Sequence, residues 1–145
     1  MKTITRSAIV PHGAGEMYAL VDDIDAYPRF LPWCEEAKVL ERAPGRTRAA
    51  LTVGLRGVRQ SLVTRNDNRP GESIVMRQEQ GPFRAFTAQW RFRPLAAHSC
   101  EVEFRLEYEF AGLVLAKLLE PVFDRIADTM VDAFTRRAAE VHDGA

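Results

Sequence analysis

Hydrophobic and polar positions alternate along most of this chain, and the period of the alternation divides it into elements. Residues 3–10 alternate as a first strand, which Pro11, Gly13 and Gly15 of "PHGAGE" bring to an end. From Gly15 to Asp23 the period lengthens: Met17, Leu20 and Val21 stand at i, i+3 and i+4, one face of a short helix. The stretch "AYPRFLPWCEE", residues 26–36, then sets Tyr27, Phe30, Leu31 and Trp33 among Pro28 and Pro32. Two prolines so close exclude a long helix, because each fixes φ, lacks an N–H and pushes its predecessor out of the helical region. One helical turn around "PRFL" is expected between them.

From residue 36 to 110 the punctuation is regular, with turn signals at "APG" 43–45, "RG" 56–57, "RPG" 69–71, "GP" 81–82 and "PLAAHS" 94–99. Five turns this close separate six runs of strand length, and links this short join antiparallel neighbours. The last hairpin is the clearest. Phe86, Ala88, Trp90 and Phe92 share one face, as do Val102, Phe104, Leu106, Tyr108 and Phe110, while Arg91 and Arg93 stand ready to pair with glutamates of the next strand. After Gly112 the period changes again. Leu115, Leu118, Val122, Ile126, Met130, Phe134 and Val141 form the stripe of one long amphipathic helix, in which Pro121 predicts a kink or a fresh start.

The predicted architecture is α+β: a curved, seven-stranded antiparallel sheet wrapped around a long C-terminal helix, with one or two short helices after strand 1, in a single domain spanning residues 1–145. A helix ~10 Å across is narrower than seven strands, so the concave face is expected to be covered incompletely. The apolar side chains on that face either simply fill a core or, in part, line a cavity of ~300–1,000 Å³ for a hydrophobic molecule. Its lining is sought in the inward-facing Met76, Phe86, Trp90, Phe92, Met130 and Phe134, with Tyr27, Phe30, Leu31 and Trp33 as a rigid plug or gate at one end. "LVLAKLL", residues 113–119, is apolar all round except at Lys117, so Leu118 belongs to core, to a pocket mouth or to a membrane-touching surface.

Composition adds what the pattern leaves open. At 46% hydrophobic and 28% charged residues the chain is ordinary globular protein, and it has no apolar run of ~20 residues and no secretory h-region. A cytoplasmic protein is expected, peripheral to the inner membrane if its cargo is a membrane lipid. Cys34 and Cys100 are read as reduced, buried thiols. His12, His98 and His142 fall in turns and at the C-terminus without partners at ligand or triad spacing, so no metal site and no catalytic residue is assigned. The formal net charge is zero, yet residues 1–41 carry −3, residues 42–93 carry +8 and residues 94–145 carry −5. Arg46, Arg48, Arg59, Arg65 and Arg77 on the outer face of the middle strands are therefore a candidate basic patch for RNA phosphates. Nothing points to DNA.

Four stretches carry a resemblance: "YPRFLPWC" at 27–34, "GPFRAF" at 81–86 with "WRF" at 90–92, "YEF" at 108–110, and "PVFDRIADTMVDAFTRRA" at 121–138. Together they resemble the START-like coenzyme Q-binding family over nearly the whole chain. That resemblance implies a helix-grip fold with a hydrophobic tunnel. It further implies non-enzymatic binding of ubiquinone or a related polyprenyl lipid in support of respiration, with no other cofactor required. The alternative comes from the same family, whose bacterial branch is described as a ribosome-association toxin that binds the large ribosomal subunit and blocks subunit joining. A cyclase- or hydrolase-type enzyme is a distant third reading, since related folds host such chemistry.

Overall fold

A computed structural model describes residues 1–55 and 57–143. The alternating segments become seven strands: β1 (Lys2–Val10), β2 (Cys34–Ala43), β3 (Arg46–Leu55), β4 (Val58–Arg69), β5 (Ser73–Gln80), β6 (Phe83–Ala96) and β7 (Ser99–Phe110). They form one antiparallel sheet in the order β1-β7-β6-β5-β4-β3-β2, so consecutive hairpins run from β2 to β7 and β1 closes the far edge against β7. Gly45 and Gly71 sit in two of the hairpin turns at φ 74°, a conformation that L side chains rarely adopt. The turn expected over 94–99 is tighter, because Pro94 lies inside β6, opposite Cys100 at a register shift. Arg93 pairs with Glu101 at 2.7 Å as the alternation suggested, whereas Arg91 stands opposite Glu103 in register without an ion pair among the described residues.

Helix α1 (Ala14–Asp22) follows β1 and buries Met17, Leu20 and Val21, the face its spacing marked. Its first turn is closed by Glu16, whose carboxylate accepts the Gly13 N–H at 3.3 Å. A 3₁₀ helix then spans Ile24–Arg29, earlier than the turn expected at "PRFL": Pro28 is inside it and Phe30 ends it. Pro28 leaves the Asp25 carbonyl without its i→i+3 donor, a loss of one bond that helps keep this helix short.

Helix α2 (Leu113–Ala138) runs unbroken through Pro121, so no fresh start occurs there, and it ends in a π-helical turn over Ala139–Asp143. Pro121 is exposed, where the carbonyl it leaves unpaired meets water. The buried residues of α2 are Leu119, Ala127, Val131, Phe134 and Ala138. That is a stripe rotated from the expected one. Leu118 is 45% exposed and Val141 41% exposed, because Leu119 occupies the inward position and its neighbour at 100° around the helix must point away. Both cysteines are free and buried. His12, in the turn after β1, is buried, with its ring centroid 6.2 Å from that of His142.

Candidate functional site

The helix rests mainly on β7 and β1, held there by aromatic rings and ion pairs. Phe83, Tyr108, Phe110 and Phe123 form one cluster, with centroid distances from 4.7 to 6.0 Å. The Tyr108 hydroxyl donates to Asp124, and Lys2 Nζ reaches Asp124 at 2.6 Å and Glu120 at 3.0 Å. Burial, together with the Asp124 carboxylate, pushes the Tyr108 phenol well above its ordinary value. Phe134 anchors the other end of the helix, with Tyr27, Phe30 and Trp90 at 5.5, 5.1 and 5.1 Å. Such contacts contribute ~0.5–1.5 kcal/mol each beyond their buried area.

Between these anchors the helix stands off the sheet and leaves an apolar cavity of about 80 Å³. Its floor is Leu51, Val53, Leu62, Met76, Phe86, Ala88, Trp90, Phe104 and Leu106, and its roof is Phe123, Ile126, Ala127, Met130 and Phe134 of α2. Tyr27, Leu31 and Trp33 close one side. A narrower space of about 30 Å³ adjoins it through Val53, Leu62 and Phe123, and adds Gln60, Pro82, Phe83, Phe110 and Leu119. The volume is smaller than the sequence led us to expect. Half-buried Met76, Met130, Phe123 and Trp33 reach into the gap between sheet and helix, and leave less room than the ~150 Å³ void that holds a benzene. Unbranched methionines are side chains that repack readily.

Eight of the eleven sequence candidates, Tyr27, Leu31, Trp33, Met76, Phe86, Trp90, Met130 and Phe134, surround this cavity. Three do not. Phe30 packs behind Phe134 under the Arg137 guanidinium, 5.3 Å from the ring centroid. Phe92 is buried against Tyr18 and Trp90, one residue pair farther along β6, and Leu118 faces outward. Leu51, Val53, Leu62, Ala88, Phe104, Leu106, Phe123, Ile126 and Ala127 were not among the candidates. Parity is poorly defined over residues 58–67, and the modest side chains of β3 and β4 gave no aromatic signal.

The polar side chains near the cavity are mostly spoken for. The Tyr27 hydroxyl donates to the Val21 carbonyl, and burial holds the phenol protonated far above its ordinary range. Gln78 clamps the β5–β6 turn: its Nε2 donates to the Phe83 carbonyl at 2.7 Å, and its Oε1 accepts the Phe83 N–H at 3.0 Å. Thr64 and Asn66 are buried on the inner face but lie outside both linings. Gln60 lines the narrower space, to which it shows only its aliphatic stem. At the rim the Trp33 carbonyl accepts the Gly54 N–H at 2.9 Å, and Glu35 folds over Gly54 to reach Arg59 at 3.1 Å. A Cβ at Gly54 would stand 1.8 Å from the Glu35 carboxylate, so only glycine permits that approach.

The basic patch is less basic than its residue count. Arg48 makes a forked pair with Glu79 at 2.8 and 3.0 Å, Arg77 pairs with Asp67 at 2.9 Å, and Arg59 is held by Glu35. The Arg48 guanidinium, in turn, holds the Glu79 carboxyl below its usual range. Among the five, Arg46 and Arg65 have no ion pair among the described residues, and Arg69 and Arg91 share that state. No cluster of metal-ligating side chains occurs among the described residues, and no helix there is long and apolar enough to cross a membrane.

Residues 10–135 match the family model described as polyketide cyclase/dehydrase and lipid transport. A protein of Escherichia coli strain K12 named ribosome association toxin RatA is 40% identical over 142 residues, covering 98% of this chain and 90% of its own. The mitochondrial coenzyme Q-binding protein COQ10 homolog B of Xenopus laevis is 30% identical over 142 residues, covering 95% of this chain and 58% of its own. A START superfamily protein of Mycobacterium smegmatis superposes with a TM-score of 0.82 at 21% identity, covering 96% of this chain and 98% of that one. The chain has the fold of that START superfamily protein, and it belongs to the polyketide cyclase/dehydrase and lipid transport family.

Proposed function

We propose that this protein is a non-enzymatic binder of an isoprenoid quinone, ubiquinone or a close relative. The observation that carries the reading is the almost wholly apolar surface that the cavity and its narrow end present. An isoprenoid chain gains ~25 cal/mol for each Å² it removes from water and asks for no polar contact. A quinone carbonyl would call for the Gln60 side chain to turn its amide toward the narrow space that its stem lines, since the Gln78 amide is committed to Phe83. The one titratable side chain in the lining is Tyr27, kept protonated by burial and turned onto Val21, which supports binding over acid–base chemistry. Entry of a ring requires Met76, Met130 and Trp33 to move.

Both tryptophans of the chain, Trp33 and Trp90, line the cavity, so their fluorescence reports on its occupant. Titration of purified protein with decylubiquinone should quench that fluorescence saturably, and solvent extraction of freshly purified protein should yield quinone. Neither quinone in the extract nor saturable quenching would remove this reading.

A second reading is favoured by the 40% identical relative named as a ribosome association toxin. On the outer face Arg48, Arg65 and Arg77 stand directly opposite one another across β3, β4 and β5, a like-charge row that carboxylates only partly neutralise. Arg69 and Arg91 flank Ser73 in the same way. We infer that Arg46, Arg65, Arg69 and Arg91 would meet the phosphates of the large ribosomal subunit. Overproduction should then deplete joined ribosomes in a sucrose gradient, and reversing those four charges should restore them; an unchanged gradient on overproduction counts against it.

A further inference from the structure

At the β7–α2 corner the side chains do the opposite of what a water-facing surface requires. Leu113 is 79% exposed, Val114 80% and Leu118 45%, all within the first two turns of α2. Farther along, the solvent side of the same helix carries Arg125, Asp128, Asp132 and Arg136. Only the N-terminal end of that face is apolar.

The charges around this corner are unequal in a second respect. Glu109 is paired with Arg84 at 3.5 Å and with the chain's amino group at 3.7 Å, while Glu120 and Asp124 share Lys2. Lys117, between Val114 and Leu118 on the exposed face, and Arg125, two turns on, have no ion pair among the described residues. The nearby acids are therefore offset and the unpaired charges are positive. The inner side of these turns offers Leu119 and Phe123 to the narrow space that leads into the cavity.

We propose that Leu113, Val114, Lys117 and Leu118 form a docking edge for the surface of an anionic bilayer, and that cargo crosses between membrane and cavity beside it. The leucines and valine would enter the boundary between headgroups and acyl chains, with Lys117 and Arg125 at the level of the lipid phosphates. Three exposed apolar side chains fall well short of the ~20–30 residues a side of a stable protein interface, which argues against a second copy as the occupant. The corner's geometry stands alone, but its purpose rests on the quinone reading above.

Flotation with vesicles of phosphatidylcholine and phosphatidylglycerol tests the edge, with decylubiquinone quenching measured on the same preparations. Leu113→Ser, Val114→Ser and Leu118→Ser combined should lower vesicle partitioning by about tenfold or more, while quenching in solution and the melting temperature stay unchanged. Lys117→Glu should weaken partitioning to anionic vesicles and leave that to pure phosphatidylcholine unaltered. Wild-type partitioning by the triple variant would overturn the proposal, as would a wild-type dimer that the triple variant abolishes. Vesicle binding that depends on these residues, in a protein that quinone fails to quench, would uphold the edge and remove the quinone instead.

Discussion

The two halves of the concave face are built on the same alternation and end differently. On β7 the inward residues Val102, Phe104, Leu106, Tyr108 and Phe110 are all at most 5% exposed, and Trp90 of β6 adds its ring against Phe134 of α2 while Phe92 packs on Tyr18 of α1. On β3 and β4 the inward residues are Thr47, Ala49, Leu51, Val53, Gln60 and Leu62, most of them shorter side chains that do not reach the helix. One half meets the helix directly; over the other the cavity opens, with Trp90, Phe104 and Leu106 of the packed half at its boundary. A period of two decides which face a side chain takes; its volume decides whether the facing layer is met or a cavity remains.

The contrast breaks first at Trp90, which touches Phe92, Phe104 and Phe134. Trp90→Ala should cost ~3–5 kcal/mol in urea denaturation, and a loss below ~1 kcal/mol would show that the aromatic half does not hold the helix. Enlarging one residue in each half sharpens the comparison. Val102→Phe, at a fully buried site, should cost ~1–3 kcal/mol by overpacking, whereas Leu51→Phe, on the cavity wall, should cost under ~1.5 kcal/mol and abolish decylubiquinone quenching. Equal losses at the two sites would mean that the hollow half is as tightly packed as the other.

Tyr108→Phe is a smaller change. It removes one hydrogen bond to Asp124, which keeps Lys2, so a loss of ~1 kcal/mol is expected from thermal or urea unfolding. The slightest effect is on pH. Burial pushes the Cys34 thiol up from an ordinary value of 9.0 to about 11, above that of the unfolded chain. Its contribution to stability is complete below pH 9 and is lost as pH rises toward about 11, because the unfolded thiol ionises first. Alkylation of Cys34 in the folded protein should be slow at pH 8 and match that of a free thiol only in urea. Equally fast reaction in both states would place Cys34 at the surface.

Legibility followed the strength of the local signal. β6 and β7 could be read residue by residue, because large apolar side chains alternate there with charges. The long helix was legible in extent but not in rotation: Leu115, Val122, Ile126 and Met130 are half-buried, while Leu118 yielded its inward place to Leu119. A stripe chosen from two adjacent leucines is ambiguous by one position, and only the docking of the helix resolves it. Arg48 and Glu79 are 31 residues apart, so no sequence window could show that they neutralise each other.

The sequence by itself determined the seven strands, the two principal helices, the antiparallel connections and the aromatic segment between Pro28 and Pro32, because periodicity, φ restriction and turn chemistry act over a few residues. Tertiary structure decided how far α2 stands from β3 and β4, which aromatics face a cavity and which lie behind it, and which arginines keep their charge. Those outcomes depend on side-chain volumes and charges brought together from distant parts of the chain. In "AYPRFLPWCEE" both levels meet: local chemistry excluded a regular helix, and packing then set Tyr27, Leu31 and Trp33 at the cavity and Phe30 behind Phe134.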